Sequence, residues 1–135
     1  MAENAMELEI VTPERMLLRE EVSEFVGPGW LGQFGVRPGH CSMVIALRGG
    51  VVSYTAVNGN TAKIAVGGGF AVVNADRSTI LADVAEPAAE VDVARARADE
   101  AQARSALEGL GLDDPAYAAN KAALDLAVAR IEAAA

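Results

Sequence analysis

The sequence predicts a β + α chain, an all-β sandwich or barrel over residues 1–87 followed by an antiparallel pair of helices over residues 88–135. Three observations carry this. Residues 1–87 hold 11 of the 13 glycines and five of the six aromatics, whereas residues 88–135 hold 18 alanines, two glycines and one aromatic, Tyr117. Aromatic residues favour strands and alanine favours helix, so the change at Pro87 marks a change of structure. Short apolar runs with glycine-rich corners recur through the first part, the mark of a sandwich or barrel. The alanine-rich part is interrupted once, around Gly109 and Gly111.

Taken in order, Met6, Leu8 and Ile10 alternate with Glu7 and Glu9, a strand with one face buried. Thr12-Pro13-Glu14 turns the chain. A second strand is expected over residues 22–26, approached through the charged run Arg19-Glu20-Glu21. Residues 43–47 read as a short strand closed by Arg48-Gly49-Gly50, and residues 51–57 as the next. Asn58-Gly59 suits a type I′ hairpin turn into a return strand over residues 61–66. Gly67-Gly68-Gly69 lacks the lysine and following helix of a phosphate loop, and Phe70-Ala71-Val72-Val73 behind it is strand, so it reads as a bend or bulge. Residues 70–73 and 78–82 pair across Asn74-Ala75-Asp76-Arg77.

In the tail, Val91, Ala94, Ala98, Ala101 and Ser105 repeat at helical spacing and are expected to form the packed face of a first helix. Glu108-Gly109-Leu110-Gly111-Leu112 ends it, and Asp113 or Asp114 before Pro115 supplies an N-cap with proline in the first turn. Tyr117, Leu124, Val128 and Ile131 mark the second helix, and so short a connection makes a hairpin. An alanine seam buries little area, each missing methylene being worth roughly 0.8 kcal/mol. The hairpin is therefore expected to be the less stable part, able to open or re-dock.

Residues 30–40 stand out for function. Phe34 and Val36 lead into Arg37-Pro38-Gly39-His40, a type I or II turn that presents Arg37 and His40 from a rigid scaffold. The formal charge of -8 and pI of about 4.6 argue against nucleic acid and anionic lipid as partners. Cys41 is the only cysteine, which excludes an internal disulfide and a cysteine-based metal site, and it reads as an inert half-buried thiol. The start has no basic-then-apolar signal pattern, and no run of about 18 apolar residues is long enough for a membrane span. His40 is the only histidine, no serine lies in a Gly-x-Ser-x-Gly elbow, and nothing sets Asp83 and Glu86 as acid and base across a cleft. The chain reads as lacking an active site of its own.

Gly35-Val36-Arg37-Pro38-Gly39-His40, Gly67-Gly68-Gly69-Phe70-Ala71-Val72-Val73 and Ile80-Leu81-Ala82-Asp83-Val84-Ala85-Glu86 occur here in one order. With the opening Leu8-Glu9-Ile10-Val11-Thr12-Pro13, the run Arg19-Glu20-Glu21-Val22 and the helical tail, the chain resembles the epsilon subunits of bacterial rotary (F-type) ATP synthases over nearly its whole length. The resemblance implies an N-terminal flattened β-barrel or sandwich and a C-terminal antiparallel two-helix hairpin. It implies a non-catalytic place in the central stalk, with residues 1–87 docking the gamma subunit and the membrane-embedded c-ring. Residues 88–135 would be regulatory, reaching the alpha and beta subunits of the catalytic head when extended and restraining ATP hydrolysis. No cofactor is required, and the chain would sit peripherally on the cytoplasmic face of the bacterial inner membrane without inserting into it.

Two sets of residues follow from the resemblance. The loop aligned with residues 30–33 lies toward the ring in the family, and the histidine-bearing turn lies near gamma, which implies interface roles for Trp30, Leu31, Gln33, Arg37 and His40. The family's usual loop glutamate is absent, Leu31 and Gln33 standing there, so an apolar ring contact through Trp30 and Leu31 is expected. Val91-Asp92-Val93-Ala94-Arg95-Ala96 matches the Ile/Leu-Asp-x-x-Arg-Ala motif that binds regulatory ATP in some members. Asp92 and Arg95 are expected on one helix face, the carboxylate accepting from the adenine amine and the guanidinium forking onto phosphate, with Glu86 on the adenine side. Gln102 stands where a second arginine is expected, leaving Arg104 and Arg130 as substitutes. Without ligand, Asp92 and Arg95 would form a surface ion pair worth about 0 to 1 kcal/mol. The alternative function is a free-standing nucleotide-sensing or scaffold module of the same fold.

Overall fold

The computed structural model describes residues 4–135. Among them, the strands are β1 (Met6–Val11), β2 (Met16–Gly29), β3 (Gly32–Val36), β4 (Met43–Ala56), β5 (Thr61–Val73), β6 (Arg77–Ala82) and β7 (Ala85–Pro87). A 3₁₀ turn (Ala88–Glu90) leads to helices α1 (Val93–Leu107) and α2 (Pro115–Ala134). The strand order is β1-β6-β5-β4-β2-β3, and β1 also pairs with β2, which closes a flattened barrel with β3 outside the closure. All pairings are antiparallel except β1 with β6. The alternation seen in the first strand sets its facing: Met6, Leu8 and Ile10 are fully buried, beside Val22, Phe25, Val52, Val66 and Ile80. Phe25 meets Phe34 edge-on, with ring centroids 6.2 Å apart at 84°. The expected fold class holds.

Three strands run further than the local pattern suggests. Arg19-Glu20-Glu21 is not an approach but lies within the first half of β2, paired with β1. Arg19 and Glu21 face outward, with Arg19 Nε 3.0 Å from Glu7 Oε1. Glu20 instead stands opposite Leu8 on the core side and accepts a hydrogen bond from the Tyr54 hydroxyl (3.1 Å). On β1, Glu7 and Glu9 also pair with Arg77 (3.3 and 3.2 Å). Nor does Gly49-Gly50 end a strand, since β4 and β5 keep one register from Met43↔Val73 to Thr55↔Thr61. The core-facing residues change parity instead, from Ile45 and Leu47 to Val52, Tyr54 and Ala56 on β4, and from Ile64 and Val66 to Ala71 and Val73 on β5. Both changes fall at glycine runs, where the paired strands bend from one layer of the sandwich into the other. At Gly67-Gly68-Gly69 the bend also exchanges partners, β7 before it and β6 after it.

The Asn58-Gly59 turn is not type I′, because Asn58 does not have positive φ. Gly59 does (φ +90), its N–H donates to the Ala56 carbonyl (2.9 Å), and Ala56 N–H donates to the Asn60 carbonyl (2.7 Å). Val57-Asn58-Gly59 is thus a three-residue loop with glycine at the left-handed position. Asn58 Oδ1 accepts from Asn60 N–H (3.0 Å), which holds asparagine short of the I′ geometry.

Asp92 caps α1, its Oδ1 accepting from Arg95 N–H (3.1 Å), and Asp114 caps α2 by accepting from Ala116 N–H (2.9 Å). The packed face of α1 is not the expected one. Ala94, Ala98, Ala101 and Ser105 are exposed, and Ala96 and Ala103 are buried. With alanine on every side of the helix, spacing alone had no apolar contrast to read. α2 lies on β4 and β5, while α1 packs principally on α2. Ala129 and Ala133 meet Ala65, with Val51 and Ala88 at the margin.

Candidate functional site

Trp30 and Leu31 form the turn between β2 and β3, and β3 pairs with β2 alone, so the turn lies at the end of an edge strand that packs on the core through Val36 and Phe34. Trp30 N–H donates to the Ala46 carbonyl (3.0 Å), which ties the tip to β4. Trp30 is 66% exposed, and Leu31 and Gln33 are exposed as well. Arg37-Pro38-Gly39-His40 lies at the other end of β3, about 16 Å away at the usual strand rise. It is a type II turn: His40 N–H donates to the Arg37 carbonyl (3.2 Å), and Gly39 has φ +85. Gly39 N–H donates to the Ala75 carbonyl (2.8 Å), anchoring the turn to the β5–β6 connection. Arg37 is paired with Glu24 (3.2 Å). His40 is half-buried, with Nδ1 2.8 Å from the Cys41 carbonyl; a carbonyl only accepts, so Nδ1 carries the proton. Cys41 itself is exposed, contrary to the half-buried thiol expected, because it follows the turn before β4 begins. The five residues therefore form two features at opposite ends of one strand.

A larger surface lies beside the first of them. Ala46, Phe70, Leu81, Val11 and Met16 are consecutive cross-strand partners on β4, β5, β6, β1 and β2. Phe70 is 54% exposed, Leu81 46% and Met16 51%, and Val44 adjoins them. This outward apolar stripe is five strands wide, about 19 Å at the usual strand spacing. A contiguous exposed patch of this kind marks an interaction surface. Trp30, Ala46 and Phe70 also line a cleft of about 830 Å³ that continues the stripe under Tyr117 and Leu126 of α2. Sequence reasoning missed the stripe. Its signal was Phe70-Ala71-Val72-Val73, apolar at positions that face both sides of the strand.

Glu86, Asp92 and Arg95 do come together, around a cavity of about 300 Å³ shared with Glu90, Ala96, Asp99 and Arg130. Arg130 Nε lies 3.2 Å from Glu86 Oε1, but its N–H is not aligned for a hydrogen bond, so the contact is one of charge. The expected Asp92–Arg95 ion pair is absent from the pairs among the described residues. Asp92 precedes the helix in extended backbone (φ -88, ψ 100) and spends its carboxylate on the cap. Arg104 pairs with Glu100 and lines a different cavity, so only Arg130 of the two substitutes reaches the cluster.

A closed sandwich with an apolar outer stripe, carrying a capped helical pair on β4 and β5, has the form of a docking module. Residues 5–88 match the family model described as ATP synthase, Delta/Epsilon chain, beta-sandwich domain. The ATP synthase epsilon chain of Syntrophomonas wolfei is 40% identical over 133 residues, covering 98% of this chain and 96% of that one. That of Geobacter metallireducens is 38% identical over 134 residues, covering 99% and 96%. The chain belongs to the ATP synthase epsilon chain family. Among solved structures, a chain of the Euglena gracilis mitochondrial ATP synthase (OSCP/F1/c-ring, rotational state 1) superposes with a TM-score of 0.81 at 25% identity, covering 97% of this chain and 81% of that one. A chain of the Tetrahymena thermophila mitochondrial ATP synthase central stalk and c-ring gives 0.64 at 18% identity, covering 97% and 99%, a likeness of fold alone. An epsilon chain is a non-catalytic stalk subunit of ATP synthase, with the catalytic sites on other chains. Among the described residues, no helix is long and apolar enough to cross a membrane.

Proposed function

We propose that this chain is a rotor subunit that couples rotation of a proton-driven c-ring to ATP synthesis in the catalytic head, and that its helices restrain hydrolysis. The observation that carries the reading is the apolar stripe from Met16 to Ala46, which ends at the exposed tip Trp30–Leu31. A close-packed barrel resists deformation and can carry torque. The stripe and the cleft beside it offer the gamma subunit a broad apolar seat, and Trp30, Leu31 and Gln33 project toward the ring. Arg37 and His40, on the type II turn, complete the gamma side. The chain would then lie peripherally at the cytoplasmic face of the inner membrane, with residues 1–87 docking and residues 88–135 regulating. The test is ATP hydrolysis and proton pumping by the assembled enzyme with the chain whole, absent, or truncated after Pro87. Loss of pumping without the chain and faster hydrolysis on truncation are expected. Full coupling in its absence would overturn the reading.

A second reading concerns ATP as a regulatory ligand. The cavity that gathers Glu86, Asp92, Arg95 and Arg130 favours it, since carboxylates for an adenine amine and two guanidiniums for phosphate border one space. Four carboxylates oppose those two cations, so binding is expected only at millimolar ATP. Titration calorimetry on the purified chain checks this, and no heat at millimolar ATP would remove the site.

A further inference from the structure

The hairpin lies on the sandwich through one unusually close approach. A Cβ at Gly49 would stand 2.9 Å from Asp125 Cβ and 3.2 Å from both the Asp125 carbonyl carbon and the Leu126 nitrogen. Two of those three atoms are helix backbone, which has no rotamer to yield. Gly49 lies outside the positive-φ glycines, so no left-handed backbone demands glycine there. Its partner in register, Gly67, is different: a Cβ there would meet Leu126 Cδ1 and Val84 Cβ at 3.4 Å, ordinary contact.

We infer that Gly49 is the seat of the helical hairpin: the missing side chain lets the α2 backbone lie on β4, and this holds both helices in the docked position. The rest of the contact depends on that approach. Ala129 and Ala133 reach Ala65, Val51 and Ala88 only because the helix is so near. Dispersion falls steeply with distance, a gap of about 0.5 to 1 Å forfeiting a quarter to a half of a contact. A methyl group at position 49 therefore lifts α2 and weakens each alanine contact along it. α1 packs principally on α2, so it follows. The consequence for regulation rests on the proposed role of the hairpin, but the seat itself does not.

Hydrogen exchange on the purified full-length chain tests the seat, because helices of this length lose protection once undocked. Gly49→Ala is expected to speed exchange of α2 amides by about tenfold, and Gly49→Val by more. The paired β4 and β5 amides should keep wild-type protection, and Gly67→Ala should resemble wild type. Unchanged α2 exchange in Gly49→Val would overturn the inference. So would equal loss of protection in β4 and β5, since the glycine would then serve the strand, or a Gly67→Ala effect as large as that of Gly49→Ala. If α2 loosens as expected while truncation after Pro87 leaves hydrolysis unchanged, the seat stands and the regulatory reading falls.

Discussion

Arg130 of α2 and Glu86 of β7 lie 3.2 Å apart, a half-buried charge contact that spans from the last helix to the last strand. Both residues also line the cavity proposed for ATP, so on that proposal the contact that docks the hairpin would border the ligand. Glu86→Gln and Arg130→Gln should each loosen the hairpin by about 1 kcal/mol or less, the usual worth of a partly exposed pair. In a double-mutant cycle read by α2 amide exchange, the two losses should fall short of adding. Full additivity would mean that the contact carries no coupling.

Asp92 has a structural duty that must be separated from any ligand duty. Asparagine also caps helices, so Asp92→Asn should keep the circular-dichroism helix signal and lower the heat of ATP binding. Asp92→Ala should lose the cap as well, at about 1 kcal/mol. Equal ATP heats for wild type and Asp92→Asn would leave the carboxylate as a cap only.

Ser78 is fully buried on β6, and its Oγ has no hydrogen-bond partner among the described residues. An unsatisfied buried hydroxyl costs stability without return. Ser78→Ala should raise the unfolding free energy by about 1 kcal/mol, read as a higher urea midpoint at unchanged slope.

Burial pushes the Glu7 carboxyl up, but hydrogen bonding with Glu9 and Arg19 and the charges of Arg19 and Arg77 outweigh it and hold its pKa below the ordinary value. A lowered pKa in the folded chain stabilises above the unfolded value and is lost as pH falls through the folded one. The stability that Glu7 contributes should therefore begin to fade as pH falls into the usual carboxylate range and be gone below it. Glu7→Gln should flatten that acid limb in melts taken across pH, and an unchanged limb would shift the account to other carboxylates.

The fold class was legible because its signals are local. The Met6–Leu8–Ile10 alternation and the exchange of glycine for alanine at Pro87 need no knowledge of partners. Strand lengths were not legible, since Gly49-Gly50 looks like a break until β5 is seen to pair straight across it. The α1 face was hidden because Ala96 and Ala98 differ in burial but not in chemistry. The same division holds for the site. The tip at Trp30 and the turn at His40 are contiguous runs, whereas the stripe exists only once five strands are brought side by side. Glu86, Asp92 and Arg95 are near in sequence, whereas the sequence could name both Arg104 and Arg130 as partners and only the return of the hairpin shows that Arg130 is the one beside them.

Two substitutions probe the docking surface without touching the core. Trp30 and Phe70 are mostly exposed, so Trp30→Ala and Phe70→Ser should leave the melting temperature of the isolated chain nearly unchanged. Each should weaken assembly with the stalk by about 2 kcal/mol, as a buried aromatic anchor does.

The most direct measurement is calorimetric titration of the purified chain into purified gamma subunit, with wild type and Phe70→Ser side by side. Saturable binding by wild type, weakened at least about tenfold in Phe70→Ser, is the predicted result. No binding by wild type, or equal affinity for the two proteins, would contradict a rotor subunit that grips its shaft through the apolar stripe.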